Sequence, residues 1–201
     1  KNLKRFVKQV HKLAPLYVLD DCSTDRTDQF FLKNKIKFIR NKKNVGYEKN
    51  LINGIKKFKN NSEFLITFDG DGQHQISDLK KILKKKENYD IIICNRKNKN
   101  RFLEIIISKL SQFLYGLKDP LSGFKVYKTK ILKEDNFKKI GNYFLLDFLI
   151  NFIIKEFNII NYPIITKKRI GKPKVGGLIK VTLKEVNIIF KLISAKLIFK
   201  K

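Results

Sequence analysis

Short apolar runs alternate with longer segments of helical periodicity along most of the chain. This alternation is typical of βα units, so it predicts an α/β fold with a mainly parallel sheet flanked by helices. The predicted strands are Leu16–Leu19, Lys37–Ile39, Phe64–Phe68, Asp90–Cys94, a segment near Phe124–Tyr127, and Ile159–Thr166. The predicted helices are Asn2–His11, Thr24–Asn34, Tyr47–Phe58, Ile76–Lys86, a helix after Arg101, Tyr143–Phe157, and a final helix that follows a Gly/Pro/Lys loop at Arg169–Gly177.

Two of the predicted strands end in pairs of acids. Asp20 and Asp21 end the first strand, and Asp69 and Asp71 follow the third. Ligands of open α/β sheets bind outside the carboxyl ends of the strands. The chain has 18 acidic residues against 45 lysines and arginines, so four acids at these two places indicate a ligand site.

The run Asp69-Gly70-Asp71-Gly72 separates two carboxylates by a residue without a side chain. Both carboxylates can then reach one hard cation, Mg²⁺ or Mn²⁺, and leave room for a phosphate-bearing ligand against the glycine backbone. A plain turn is the alternative, since Asp-Gly pairs are common turn formers. A calcium loop of the EF-hand type is excluded, because its sixth position would be His74 rather than Gly and its twelfth Lys80 rather than Glu.

The run Val18–Thr27 leads the first strand through two acids into residues that suit a helix start, namely Ser23, Thr24 and Asp25. Capping accounts for those three residues and does not require acids inside the strand end. Asp21 is therefore left for a ligand, because a carboxylate accepts hydrogen bonds from sugar hydroxyls or base N–H groups.

Four segments, in this order, resemble the glycosyltransferases of family 2, which have the GT-A nucleotide-diphospho-sugar transferase fold. They are the V-x-D-D-x-S-T-D-x-T run at Val18–Thr27, Asn44-x-Gly46 followed by Gly54, Phe68–His74, and Ser122-Gly123-Phe124 after Asp119-Pro120. A later run, Arg169–Val175, is similar to the R-x-G-K-S-K loop of the polyprenyl-phosphate branch, to which the dolichyl-phosphate mannosyltransferases belong. The resemblance implies an inverting transfer of a sugar from a nucleotide-diphosphate sugar to a polyprenyl phosphate or related lipid-linked acceptor.

The resemblance also implies roles on the donor side. Asp20 and Asp21 would bind the sugar nucleotide, with Asp21 at the nucleoside. Asp69 and Asp71 would hold the diphosphate and a Mg²⁺ or Mn²⁺ ion, and Arg96 would approach the phosphates. His74, which follows these acids, is assigned a supporting or helix-entry role rather than metal ligation.

Three further residues belong to the acceptor side of the resemblance. Arg169 and Lys174 would bind the acceptor phosphate or the leaving diphosphate. Asp119 would lie close to the reacting centre and act as the catalytic base if the acceptor is a sugar hydroxyl, as in cell-surface polysaccharide synthesis. A lipid phosphate is already anionic near neutral pH and needs no strong base, so the two acceptors are open alternatives.

The domain organisation follows from the same comparison. Residues 1–177 are expected to form the transferase domain, and residues 178–201 an amphipathic helix. The chain begins in a helical segment at Lys1, so the family's first strand, with its nucleotide contact, is expected to precede it. Two positions depart from the usual pattern of the family: Cys22 stands where Gly is usual, and Asn50 where Ala is usual. A family member that lost activity along with its first strand is therefore a further alternative.

The net charge of +27 admits two explanations, an anionic partner or a lysine-rich composition throughout. A non-enzymatic nucleic-acid-binding protein would explain the charge through phosphate contacts. It would leave the acids at the strand ends unexplained, because without a metal they repel phosphate. We therefore expect no nucleic-acid partner. Two cysteines and two histidines also argue against a disulfide scaffold and a structural zinc site.

The final helix carries a narrow polar stripe at three- and four-residue steps: Lys180, Lys184, Asn187, Lys191 and Ser194. The apolar arc around that stripe is wider than one face of a globular core needs. The pattern predicts a helix in the plane of an anionic membrane surface, with its lysines toward the headgroups, on a protein peripheral to the cytoplasmic face. An ordinary docking helix or a dimer seam is the alternative.

Overall fold

The computed structural model describes residues 2–25, 27–99, 101–133, 143–167 and 178–198. The chain divides into two compact units, Lys1–Ser62 and Glu63–Lys201. Each unit combines strands with flanking helices, as the alternating pattern predicts.

The first unit is a two-stranded parallel sheet with three helices. Its elements are α1 (Asn2–His11), β1 (Tyr17–Asp20), α2 (Thr27–Lys33), β2 (Lys37–Arg40) and α3 (Tyr47–Phe58). The two strands pair from Tyr17 opposite Lys37 to Asp20 opposite Arg40. Val7, Phe31 and Ile36 form a buried cluster on which the apolar side chains of the strands pack. This cluster forms because α1 and α2 both turn apolar positions toward the sheet.

The second unit contains a four-stranded mixed sheet. Its strands and helices are β3 (Phe64–Thr67), α4 (Ile76–Lys85), β4 (Ile91–Arg96), α5 (Phe102–Tyr115), β5 (Lys125–Lys128), α6 (Phe144–Ile154), β6 (Ile159–Ile164) and α7 (Leu178–Ile198). The strand order is β3-β5-β4-β6. β4 and β6 are parallel, whereas β5 is antiparallel to both of its neighbours. The prediction of a mainly parallel sheet is confirmed, with β5 as the exception.

The core of the second unit lies around β4. Its run Ile91-Ile92-Ile93-Cys94 is buried throughout, as expected for a strand covered on both faces of a sheet. The predicted strands and helices all occur within the described residues, with ends shifted by a few residues. The helix predicted from Thr24 starts at Thr27, because Asp20 accepts a hydrogen bond from the Ser23 N–H and Asp25 accepts one from the Thr27 N–H.

α7 docks on its own unit through one face. Ile188 and Leu192 are buried in a cluster with Ile107 of α5 and with Leu146 and Ile150 of α6. Part of the wide apolar arc is therefore a docking face, which was the alternative interpretation of this helix. The predicted boundary before residue 178 falls in residues 168–177, outside the described residues.

Lys191 belongs to the polar stripe that was predicted to face lipid headgroups. It instead forms an ion pair with the buried carboxylate of Asp147 on α6. For this lysine the headgroup prediction is wrong, because a buried carboxylate requires a cationic partner. Among the described residues, no helix is both long enough and apolar enough to cross a bilayer.

Candidate active site

Asp20 lies at the end of β1 and is buried within the first unit. Its Oδ1 accepts a hydrogen bond from the Ser23 N–H at 2.9 Å, and its Oδ2 lies 3.5 Å from Nε of Arg40. These contacts stabilise the turn that leads from β1 into α2. The predicted contact between Asp20 and a sugar nucleotide stays a prediction.

Asp21 fixes the loop before α3. Its Oδ1 accepts hydrogen bonds from Asn41 Nδ2 and the Val45 N–H, and its Oδ2 accepts one from the Gly46 N–H, all at 2.9 Å. Gly46 has φ +89°, a conformation that favours glycine. A carboxylate has about four acceptor positions, so roughly one is left for a ligand. Two of the motifs in the resemblance, Val18–Thr27 and Asn44-x-Gly46, thus meet at this carboxylate.

Two asparagines, Asn41 and Asn50, hold the Asp21 carboxylate in place through hydrogen bonds. Asn41 Nδ2 donates to Asn50 Oδ1 at 3.0 Å as well as to Asp21, and Asn50 Nδ2 donates to the Leu19 carbonyl at 3.3 Å. Sequence reasoning missed this support, although Asn50 is one of the departures from the family pattern. A polar residue in place of the usual Ala on a helix facing the strand was the available signal.

The acids of the second unit lie on a turn after β3, residues Asp69–Gly72, which we name the acid turn. Thr67, the last residue of β3, donates from Oγ1 to the Gly123 carbonyl at 2.9 Å and so fixes the turn's first end. Asp71 Oδ1 accepts the Gln73 N–H at 3.0 Å, and Gly72 has φ +75°. Both carboxylates are half-buried, and the side chain of Asp69 is 33% exposed.

The acid turn offers the right donors for a hard cation shared with a substrate. Within the described ranges, no group of three or more His, Cys, Asp or Glu side chains could hold a metal ion by itself. Mg²⁺ and Mn²⁺ commonly take one or two carboxylates and complete their coordination with water and substrate phosphates. Asp69 and Asp71 therefore fit such an ion as a partner of a diphosphate, and not as a site made of protein ligands alone.

Arg96, at the end of β4, and Asp119 form a buried ion pair. Asp119 Oδ2 accepts the Arg96 N–H at 3.0 Å and Nε–H at 2.8 Å, and its Oδ1 accepts Nη2–H at 3.1 Å. Burial acts to lower the pKa of Arg96, but the hydrogen bond and charge of Asp119, with the charges of Glu104 and Asp69, raise it above its ordinary value. Arg96 is thus a fixed positive charge.

Lys125, the first residue of β5, is fully buried near the same groups, and sequence reasoning missed it. Its Nζ donates to the Ser122 carbonyl. Burial lowers the pKa of Lys125 to about 8, although the charges of Asp119 and Asp69 act in the opposite direction. The only signal was a lysine directly after Phe124 in a predicted strand, which does not stand out in a lysine-rich chain.

Replacing Lys125 by Met should remove a pH dependence of stability. Between pH values of about 8 and 10.5 the unfolded chain binds more protons at this lysine than the folded chain, so the wild type gains stability as pH rises. The gain approaches about 1.4 kcal/mol per pH unit. In urea unfolding without divalent cations, the stability of Lys125→Met relative to wild type should fall as pH rises. If the free energies of unfolding of the two proteins change in parallel with pH, the pKa of Lys125 is not lowered by burial.

The loop predicted to bind phosphate, with Arg169 and Lys174, lies outside the described residues. The chain just before it is tied to the residues that follow the acid turn. Lys167 N–H donates to the Gln73 carbonyl at 2.9 Å, and Gln73 Nε2 donates to the Lys167 carbonyl at 3.1 Å. Gln75 Nε2 donates to the Ile165 carbonyl at 2.8 Å. Gln73 and Gln75 therefore connect the residues that follow the acid turn to residues 165–167, which precede the predicted acceptor loop in sequence.

Sequence comparison gives one family and two archaeal relatives. The model of Glycosyl transferase family 2 matches residues 1–145. Uncharacterized protein MJ0544 of Methanocaldococcus jannaschii is 33% identical over 161 residues, which cover 68% of this chain and 70% of that protein. Uncharacterized protein MJ1222 of the same organism is 28% identical over 148 residues, which cover 66% of this chain and 60% of that protein.

Two solved structures share the fold. The crystal structure of M. tuberculosis glucosyl-3-phosphoglycerate synthase superposes with a TM-score of 0.67 at 15% identity, covering 96% of this chain and 75% of that one. CMP:2-keto-3-deoxy-manno-octonic acid synthetase, complexed with CTP, gives a TM-score of 0.53 at 11% identity, covering 94% and 87%. At these identities the two comparisons show the fold alone.

Proposed function

Because this chain belongs to glycosyl transferase family 2 and is therefore a glycosyltransferase that uses a sugar nucleotide, we propose that its acceptor is a polyprenyl phosphate or a related lipid-linked group at the cytoplasmic face of a membrane. The proposal of a lipid-linked acceptor rests on the apolar surface that α5 and α7 expose in a chain with a net charge of +27. The polyprenyl-phosphate resemblance of Arg169–Val175 agrees with it.

On the donor side, the acid turn and Arg96 would bind the diphosphate of the sugar nucleotide. Asp69 and Asp71 would hold Mg²⁺ or Mn²⁺, which as a Lewis acid neutralises the charge of the leaving diphosphate. Arg96 carries a fixed positive charge and is oriented by Asp119 through three hydrogen bonds. Orientation of this kind lowers the barrier because no reorganisation is needed during the reaction.

On the acceptor side, the contacts of Asp119 favour a phosphate over a sugar hydroxyl. Its carboxylate accepts three hydrogen bonds from Arg96, and the side chain is only 2% exposed, so burial keeps the remaining acceptor position from a hydroxyl that approaches from outside. An anionic phosphate oxygen needs only to be held in line with the anomeric carbon. Asp119 would then act by positioning Arg96, and its role as a base belongs to the hydroxyl alternative.

The apolar surface lies on two helices that run in the same direction. Arg101, just before α5, pairs with Glu185 of α7 at 3.2 Å, and the Tyr115 hydroxyl at the end of α5 donates to the Leu192 carbonyl at 2.8 Å. α7 exposes one face made of four residues at helical spacing: Leu183, Phe190, Ile193 and Leu197. α5 exposes three large apolar residues: Phe102, Ile105 and Phe113.

The most exposed of these side chains are aromatic: Phe113 at 87%, Phe102 at 75% and Phe190 at 68%. Exposed aromatic and aliphatic residues beside lysines are typical of helices that lie at the surface of an anionic bilayer. Lys109 is exposed on α5 between Phe102 and Phe113, so charge and apolar surface occur together there. These features support a membrane surface as the place of the reaction.

A transfer assay with two forms of one acceptor tests the proposal. Replacing Phe113 and Phe190 by Ser should lower transfer to polyprenyl phosphate in anionic vesicles about 100-fold or more, since each phenylalanine that enters the bilayer contributes about 1.5–3 kcal/mol. Transfer to a short, water-soluble polyprenyl phosphate should not change. Leu32→Ser, which removes an exposed side chain in the first unit, is the control. Transfer to sugar hydroxyls and not to either lipid phosphate would contradict the proposal.

A further inference from the structure

His74 is a buried polar side chain beside the acid turn. It is 5% exposed, and neither Nδ1 nor Nε2 has a hydrogen-bond partner. Nε2 lies 3.7 Å from Asp69 Oδ2, which is beyond hydrogen-bond distance. Buried polar atoms are nearly always hydrogen bonded in folded proteins, so this ring requires an explanation.

The imidazole is held in place from several sides. Its ring packs edge-on against Phe124, with centroids 5.1 Å apart and an interplanar angle of 68°. The residues on either side, Gln73 and Gln75, are bound to Lys167 and Ile165. The side chain of Asp69, in contrast, is 33% exposed. A movement of about 1 Å by the Asp69 carboxylate would bring it within hydrogen-bond distance of Nε2.

A carboxylate on the next helix shares with His74 a buried polar atom that has no hydrogen-bond partner. Asp78, in the first turn of α4, has its Oδ2 buried without a hydrogen-bond partner. Burial raises the pKa of Asp78, while the charges of Lys81 and His74 act in the opposite direction. His74 is therefore placed to interact with one carboxylate of the acid turn and with one outside it.

We propose that His74 is a positioning residue for the cation held by the acid turn, donating its Nε2–H to Asp69 Oδ2 so that the other carboxylate oxygen faces the cation. The inference rests on the proposed function, because it needs a cation at Asp69 and Asp71. Ligating carboxylates are commonly oriented by such hydrogen bonds, and the loss of one costs about 10–100-fold in metal affinity. The role gives a purpose to a buried imidazole whose Nε2 lies 3.7 Å from Asp69 Oδ2 and has no hydrogen-bond partner.

The test is Mn²⁺ affinity, measured from the electron paramagnetic resonance signal of free Mn²⁺ in the presence of UDP or GDP. His74→Phe keeps the ring against Phe124 and removes the donor, so it should weaken Mn²⁺ binding about 10–100-fold. His74→Gln keeps an N–H group close to the position of Nε2 and should restore most of the affinity. His11→Phe, at the other and exposed histidine, should change nothing.

A third variant keeps the test decisive if His74→Phe does not fold. His74→Asn carries an N–H group near the position of Nδ1 only, so it should lose affinity where His74→Gln keeps it. Equal Mn²⁺ affinity of wild type and His74→Phe, or of the Gln and Asn variants, would overturn the inference alone. If the wild type binds no Mn²⁺ with either nucleotide, the proposed function and this inference both fail.

Discussion

Asp71→Asn should lower kcat/KM for sugar transfer about 10³-fold, the largest effect that we expect from a single substitution. Asp71 lies on the acid turn, and in the proposed reaction the charge of the diphosphate would develop there as the sugar leaves. Asn keeps the size of the side chain and the acceptor for the Gln73 N–H, but it removes the negative charge that a divalent cation requires. The loss should appear in kcat as well as in KM, because charge stabilisation is strongest in the transition state.

Steady-state transfer with Mg²⁺ and with Mn²⁺ measures this effect. The control is Asp90→Asn, which changes an acid of the same unit that lies near Lys128 and Lys130 and away from the acid turn. It should retain wild-type kinetics. If Asp71→Asn keeps kcat/KM within about tenfold of wild type, catalysis does not depend on a cation held by these acids.

Asp119→Ala should lower the free energy of unfolding by about 3 kcal/mol, because it leaves the charge of Arg96 without its partner. The expected loss is at the lower end for buried pairs, since the side chain of Arg96 is 24% exposed and that of Asp119 only 2%. The double variant Arg96→Met/Asp119→Leu should recover about half of the loss or more, because apolar side chains can replace a buried ion pair. Urea unfolding of the wild type and of these two variants gives the comparison.

An exposed Arg–Asp pair in the same chain provides the matched control. Asp28 lies 2.6 Å from Nη1 of Arg40, and both side chains are about one-third exposed. Asp28→Ala should cost about 1 kcal/mol or less, as surface ion pairs do. Similar losses of unfolding free energy for Asp28→Ala and Asp119→Ala would show that burial does not increase the contribution of the Arg96–Asp119 pair to stability.

Most of the fold could be predicted from local pattern. Apolar runs such as Phe64–Phe68 and the periodicity of Tyr47–Phe58 depend on each segment's own residues, and the structure has a strand or helix at each place. The antiparallel direction of β5 could not be predicted in this way, because it depends on which strands pair. The docking of α7 through Ile188 and Leu192 was also beyond the pattern, since an apolar arc does not say which of its positions find a partner.

The candidate site was predictable where it depends on motifs and not where it depends on burial. The acids after β3 are recognisable in the sequence because two aspartates, each followed by a glycine, come directly after an apolar run. The spacing of Arg96 and Asp119 gave no indication that they pair in three hydrogen bonds. The burial of Lys125 could not be predicted, because the sequence does not distinguish a buried lysine from an exposed one.

The most direct test of a cation-dependent sugar-nucleotide site is a thermal unfolding series of this chain with UDP, GDP and dTDP, each with and without Mn²⁺. A ligand at 100 times its dissociation constant adds about 2.7 kcal/mol to the free energy of unfolding, which a melting curve resolves. We expect one nucleotide to stabilise the wild type only when Mn²⁺ is present, and to lose this effect in Asp71→Asn. Unchanged melting with every nucleotide, or stabilisation that is the same without Mn²⁺, would contradict the account.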